Sequence, residues 1–132
     1  MSMNIIFFNN YKIGIDFIDK ENYILFKLTD EIYQSIFDEH KSLFLLNKFN
    51  EIIKLYFKTK ENFMEEIVFP YRKYHKEAHD IILIKVINFL ENKSKYDTYQ
   101  QKYFIKTIDD CLLKHIDHYD TQIGIFFKNQ TK

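Results

Sequence analysis

Pro70-Tyr71-Arg72-Lys73-Tyr74-His75-Lys76-Glu77-Ala78-His79 is the stretch from which the rest of the chain can be read. In a helix, residues four apart lie on one side, about one turn from each other, so His75 and His79 share a face. The stripe continues through Ile82, Val86 and Phe89, an apolar line at helical spacing. Both imidazoles are therefore expected along a buried face. A buried imidazole needs a hydrogen-bond partner or a metal, and histidine is the commonest metal ligand. The plainer alternative is a pair of core histidines satisfied by neighbouring polar groups.

The chain has 132 residues, a length that suits one domain, 1–132, with one core. Its 19 basic and 19 acidic residues balance to a formal net charge of zero. They are mixed along the sequence, so neither nucleic acid nor an anionic membrane is an expected partner. The opening Met1-Ser2-Met3-Asn4-Ile5-Ile6-Phe7-Phe8 lacks the basic lead and small-residue cleavage site of a signal peptide. No run approaches the roughly 18 apolar residues of a membrane span, and a cytoplasmic protein is expected. One cysteine, Cys111, excludes an internal disulfide framework, and its place on an apolar stripe suggests a small buried hydrophobe.

Two glycines and one proline leave few places to turn, which argues against a sandwich or barrel. Fourteen Phe and ten Tyr supply bulky core material. Residues 1–15 read as an N-terminal arm closed by Ile13-Gly14-Ile15. Asp16 or Asp19 is expected to cap a first helix running to about Phe37, whose inner stripe is Ile18, Asn22, Leu25, Thr29, Ile32 and Ile36. Residues 38–42 make a short connection, so the second helix, about 43–67, returns antiparallel. Its inward line is Leu45, Phe49, Ile52, Tyr56, Lys60 and Phe63, flanked by Ile53, Phe57 and Met64. A lysine in the middle of that line is unexpected.

Pro70 can occupy the first turn of a third helix, about 71–92. Asp97 is a plausible cap for the fourth, about 98–127, which aligns Phe104, Ile108, Cys111, His115 and Tyr119. The expected fold is an all-α, up-down-up-down antiparallel four-helix bundle over about 16–127. In a regular α-helix Asp120 lies about 140° around from His115 and reaches the same interior only from the flank. His75, His79, His115 and Asp120 then form a metal-like set. Three imidazoles and a carboxylate suit zinc, or iron(II) with open positions, and bundle cores commonly hold metals between facing helices.

At this point the chain also resembles the bacterial hemerythrins. Ile13-Gly14-Ile15 with Ile18-Asp19-Lys20-Glu21 is similar to the family's opening, where a Gly precedes an Asp-x-Gln/Glu-His group. Phe69-Pro70 followed by His75 and His79 resembles its Tyr-Pro and His-x-x-x-His segment. His115 through Asp120 resembles its closing His-x-x-x-x-Asp. The resemblance implies a di-iron, oxygen-binding four-helix bundle whose ligands are five histidines and bridging Glu and Asp residues. Carried over, the first-helix His falls on Asn22. The second-helix motif, aligned without a gap, places Tyr56 at the second His and Lys60 at the bridging Glu, with Phe57, Glu61 and Met64 also matched. A rival alignment uses Asn62-Phe63 and Glu65-Glu66 and recovers the glutamate as Glu66, at the cost of deleting about six residues before Pro70.

Three readings stay open on the residues. His75, His79, His115 and Asp120 hold one metal, iron first and zinc as an option, with Tyr56 or Glu61 as a further ligand and dioxygen as the implied partner. Alternatively no metal binds, Lys60 is the cation paired to Asp120, and the bundle is a structural or protein-interaction module. In the third, Lys60 extends to the surface and Glu66 completes an altered di-iron site. A Lys60 ammonium within hydrogen-bond reach of Asp120 is expected to end the metal reading, as are imidazole nitrogens splayed apart or already engaged with protein partners; converging imidazoles with Lys60 turned outward are expected to support it. His118, His40, Glu65 and Glu66 read as solvated. No Ser/His/Asp or Cys/His arrangement suggests an enzyme, and no Gly-rich phosphate loop is present.

Overall fold

The structure, a computed structural model, describes residues 8–130; the first seven residues of the expected arm lie outside them. Among the described residues there is no strand. Helix α1 covers Asp16–Gln34, α2 Glu39–Glu66, α3 Arg72–Asn92 and α4 Thr98–His115; a π turn, Ile116–Asp120, then leads directly into α5, Thr121–Gln130. Helix α1 packs on α2, α2 on α3, α3 on α4, and α4 closes back on α1, the contacts of a four-helix bundle.

The helix starts follow local chemistry. Asp38 caps α2 by accepting from the Lys41 N–H at 3.1 Å, so the helix begins at Glu39, four residues earlier than its apolar pattern suggested. Asp97 caps α4 in a reciprocal box with Gln100, at 2.8 and 2.9 Å. Asp19 does not cap α1. From one turn inside the helix it accepts the N–H groups of Ile13 at 2.8 Å and Gly14 at 3.1 Å, tying the preceding segment to the bundle. That segment lies close against α5: a Cβ on Gly124 would stand 2.5 Å from the Ile13 carbonyl oxygen. Pro70 sits in the turn before α3 rather than in its first turn, and Tyr71 occupies the position preceding the helix.

The core runs the length of the bundle. It includes Ile18, Leu25, Phe26 and Ile32 from α1, Leu46, Phe49, Ile53, Phe57 and Met64 from α2, Val86 and Phe89 from α3, and Ile105, Ile108 and Leu112 from α4. Each contributes about 1.5–3 kcal/mol by leaving water. On α2 the fully buried line is Ile53, Phe57 and Met64, with Ile52, Tyr56 and Phe63 only partly buried. The inward face is thus rotated toward the residues first read as flanking. Cys111 is half-buried beside the Lys85 ammonium, 3.6 Å from Sγ, at the edge of the core rather than in it.

Candidate metal centre

Four polar side chains interrupt this apolar core at one level. His75 and His79 come from α3, His115 from the end of α4, and Asp120 from the π turn; they are 1%, 0%, 4% and 0% exposed. The π turn brings Asp120 round. It closes i→i+5 hydrogen bonds, so residues five apart stand nearly above one another, as residues four apart do in an α-helix. Asp120 therefore points straight into the interior instead of reaching it from the flank, and one ligand atom from each of the four residues lies within 4.8 Å of every other.

Three of those atoms form a small triangle. His75 Nε2 and His115 Nε2 approach to 3.0 Å, and Asp120 Oδ1 lies 3.1 Å from the first and 3.3 Å from the second. Around a metal with bonds of about 2.1 Å, adjacent ligand atoms stand about 3.0 Å apart in octahedral and about 3.4 Å in tetrahedral geometry. All three edges fall in that interval. Protein hydrogen bonding alone serves the group poorly. His79 Nε2 and the Nδ1 atoms of His75 and His115 are buried without a hydrogen-bond partner, where each such orphan costs about 1–3 kcal/mol.

The third imidazole, His79, is oriented from behind. His79 Nδ1 lies 2.8 Å from Glu61 Oε2. An ionised carboxylate only accepts, so Nδ1 carries the hydrogen and Nε2 keeps its lone pair. A carboxylate behind a ligating imidazole is a recurrent support in metal sites. Phe57 stacks on the His79 ring at 3.9 Å between centroids, and Tyr119 stacks on His115 at 5.1 Å. A surface depression of about 360 Å3, lined by Phe69, Tyr71, Tyr74 and Tyr119, extends to the His75 ring.

Lys60 completes the cluster. Only 2% exposed, its ammonium donates to Asp120 Oδ2 at 2.7 Å, and Asn22 Nδ2 donates to the same oxygen at 2.9 Å. The Lys60 contact, expected to end the metal reading, is therefore present beside the convergence of the imidazoles, which was expected only with Lys60 turned outward. They coexist because a carboxylate has two oxygens: Oδ2 takes the cation and the amide, and Oδ1 faces the imidazoles. Lys60 does not extend to the surface, while Glu66 is exposed and Glu65 pairs with Arg72 at 3.2 Å. It is thus Lys60, not Glu66, that meets Asp120. Tyr56 is half-buried and outside the group of four; Glu61 reaches it only through His79.

The electrostatics follow burial. Burial pushes the Asp120 carboxyl up, but the Lys60 charge and the two imidazoles together outweigh it and hold the group well below the usual carboxylate range. Burial lowers His75 to about 4 against the pull of Asp120. It also lowers His115 and His79, with Lys60 adding to the effect. Neutral imidazoles are the form that binds metal. Of two further neighbours, Glu21 was not foreseen from sequence, whereas Asn22 is the position onto which the resemblance carries the first-helix His. Glu21, near Lys60, is raised by burial to about 7; Asn22, which interrupts an apolar stripe, proves to be a hydrogen-bond donor to the buried carboxylate.

No family model matches the chain, and no solved structure matches it. Among curated proteins, bacteriohemerythrins of Campylobacter jejuni subsp. jejuni serotypes O:6 and O:2 are each 23% identical over 119 residues, covering 80% of this chain and 90% of the relative. The serotype O:23/36 protein matches at the same identity and coverage. These similarities support a hemerythrin-like relationship at most.

Proposed function

We propose that this chain is a hemerythrin-like metal-binding protein, an up-down-up-down bundle whose centre takes one iron ion through His75, His79, His115 and Asp120. The observation that carries the reading is the triangle of His75 Nε2, His115 Nε2 and Asp120 Oδ1, whose edges of 3.0, 3.1 and 3.3 Å match the spacing of ligand atoms around one small cation. A metal would also engage His79 Nε2, otherwise left without a partner.

Iron(II) held by these imidazoles and the carboxylate would keep open positions at which dioxygen could bind, the chemistry of a sensor or store. The chain's own part is to keep three imidazoles neutral and to fix His79 through Glu61. Stacked rings and apolar core exclude bulk water. The role is binding rather than turnover, and the cytoplasm is the compartment where it would operate.

A second reading is favoured by one observation, the 2.7 Å contact of Lys60 with Asp120: a metal-free bundle, serving as an interaction module, in which the ammonium alone balances the buried carboxylate. Iron and zinc content of the protein purified after anaerobic, iron-replete expression separates the two. About one metal per chain, lost in His79→Ala, supports the centre. Less than about 0.2 per chain, a fifth of that stoichiometry, rejects it, and unchanged content in His79→Ala rejects the ligand assignment.

A further inference from the structure

We propose that Lys60 is the residue that sets the metal capacity of the centre: it occupies one oxygen of Asp120, limits the site to a single ion, and substitutes for metal charge when none is bound. The inference rests on the metal reading above. Asp120 is fully buried and its two oxygens have different company. Oδ1 faces two imidazole nitrogens at 3.1 and 3.3 Å. Oδ2 accepts from the Lys60 ammonium at 2.7 Å and the Asn22 amide at 2.9 Å. Oδ1 faces only ring nitrogens, at least one of which carries a hydrogen in the 3.0 Å His75–His115 contact, while Oδ2 is filled by an ammonium and an amide. A metal ion has room only on the first side, once both imidazoles present Nε2 lone pairs.

The second side has an acid of its own. Glu21 lies within electrostatic reach of Lys60, which counters the upward push of burial on its carboxyl. Tyr56, which feels the Glu21 charge in turn, stands one turn before Lys60 on α2. The ring of Phe57 lies 5.6 Å from the ammonium and closes the apolar side. Lys60 thus supplies a fixed positive charge that an ion there would otherwise bring, but no lone pair. Like charges a few ångströms apart in a partly dry interior repel strongly, so the ammonium excludes an ion from Oδ2 and weakens one at Oδ1. The same charge keeps the buried carboxylate compensated in the metal-free chain.

Three variants of the full chain test this, with zinc as the probe ion, measured by metal analysis, chelator competition and thermal unfolding with and without metal. Wild type and Lys60→Arg, which keeps the charge, are expected to bind one ion with similar affinity. Lys60→Met is expected to bind one ion at least about tenfold more tightly and to show a larger metal-induced rise in Tm than wild type. Lys60→Glu, paired with Asn22→His at the same oxygen, is expected to take up a second ion. A Lys60→Met chain that binds no more tightly than wild type, or that stays unfolded when zinc is added, overturns the proposal. So does a double variant that stops at one ion, or a wild type that takes two. A wild type that binds no metal overturns the metal reading itself, and the role of Lys60 with it.

Discussion

Lys60 and Asp120, sixty positions apart in the chain, meet at 2.7 Å in the interior of the bundle with side chains 2% and 0% exposed. The pair joins α2 to the π turn at the level of the three histidines. Its energetic meaning depends on which partner is removed, because a buried charge left alone costs far more than the pair contributes.

Lys60→Ala is therefore expected to destabilise the metal-free chain by about 3–5 kcal/mol, by stranding the Asp120 carboxylate. Urea unfolding in the presence of a chelator measures it. Asp120→Asn, which leaves the ammonium with a neutral partner, should also be strongly destabilising. A loss under about 1 kcal/mol in both would mean that water reaches the pair.

Glu61→Ala is expected to weaken metal binding by about 10–100-fold, since the carboxylate holds the His79 ring and its tautomer at 2.8 Å. Glu61 is partly buried, and its loss strands the His79 Nδ1–H, so a destabilisation of about 1–3 kcal/mol should accompany the weaker binding. Chelator competition beside a denaturation curve separates the two effects, and equal affinity in both proteins would remove Glu61 from the account.

Gly124→Ala should cost about 1–3 kcal/mol. The added Cβ would stand 2.5 Å from the Ile13 carbonyl oxygen, and that contact is backbone, which cannot swing away as a side chain can. A Tm equal to that of wild type would show that the segment before α1 does not lie against α5 in solution.

The metal-free chain should lose stability as the pH falls from about 6.5 toward 4. Burial lowers His75 from 6.5 to about 4 and lowers His79 and His115 as well. In that window the unfolded chain carries a proton on His75 and the folded chain does not. Acid therefore favours unfolding, by up to about 1.4 kcal/mol per pH unit for that ring, with His79 and His115 acting in the same direction, and above the window the contribution is complete. Glu21 runs the other way. Raised from 4.5 to about 7, it binds its proton more tightly when folded and so loses stability as the pH rises through that range; half-buried, it offsets part of that loss. Urea midpoints at about pH 7 and about pH 5 decide the sign, and a midpoint that holds or rises on acidification contradicts it.

Much of this arrangement was legible in the residues. The His75/His79 stripe running into Ile82, Val86 and Phe89 marked a buried face, and a lysine among Phe49, Tyr56 and Phe63 marked something to be compensated. What sequence reading missed was geometry that ordinary helical periodicity does not encode. The five-residue interval from His115 to Asp120 reads as a flank position unless a π turn is assumed, and nothing local announces one. Asp19 was read as a cap because capping and anchoring use the same side chain; only the fold shows that it holds Ile13 and Gly14. The choice between a metal and a Lys60 pair was framed as exclusive because a sequence does not show that the two oxygens of one carboxylate face different ways.

X-ray absorption at the iron edge of the anaerobically loaded protein tests the central claim most directly. The account predicts imidazole scattering from three histidines with nitrogen and oxygen neighbours at about 2.0–2.2 Å, and no second iron nearby. A protein that retains no iron, or one whose spectrum contains an iron neighbour at about 3.5–4 Å, would contradict it.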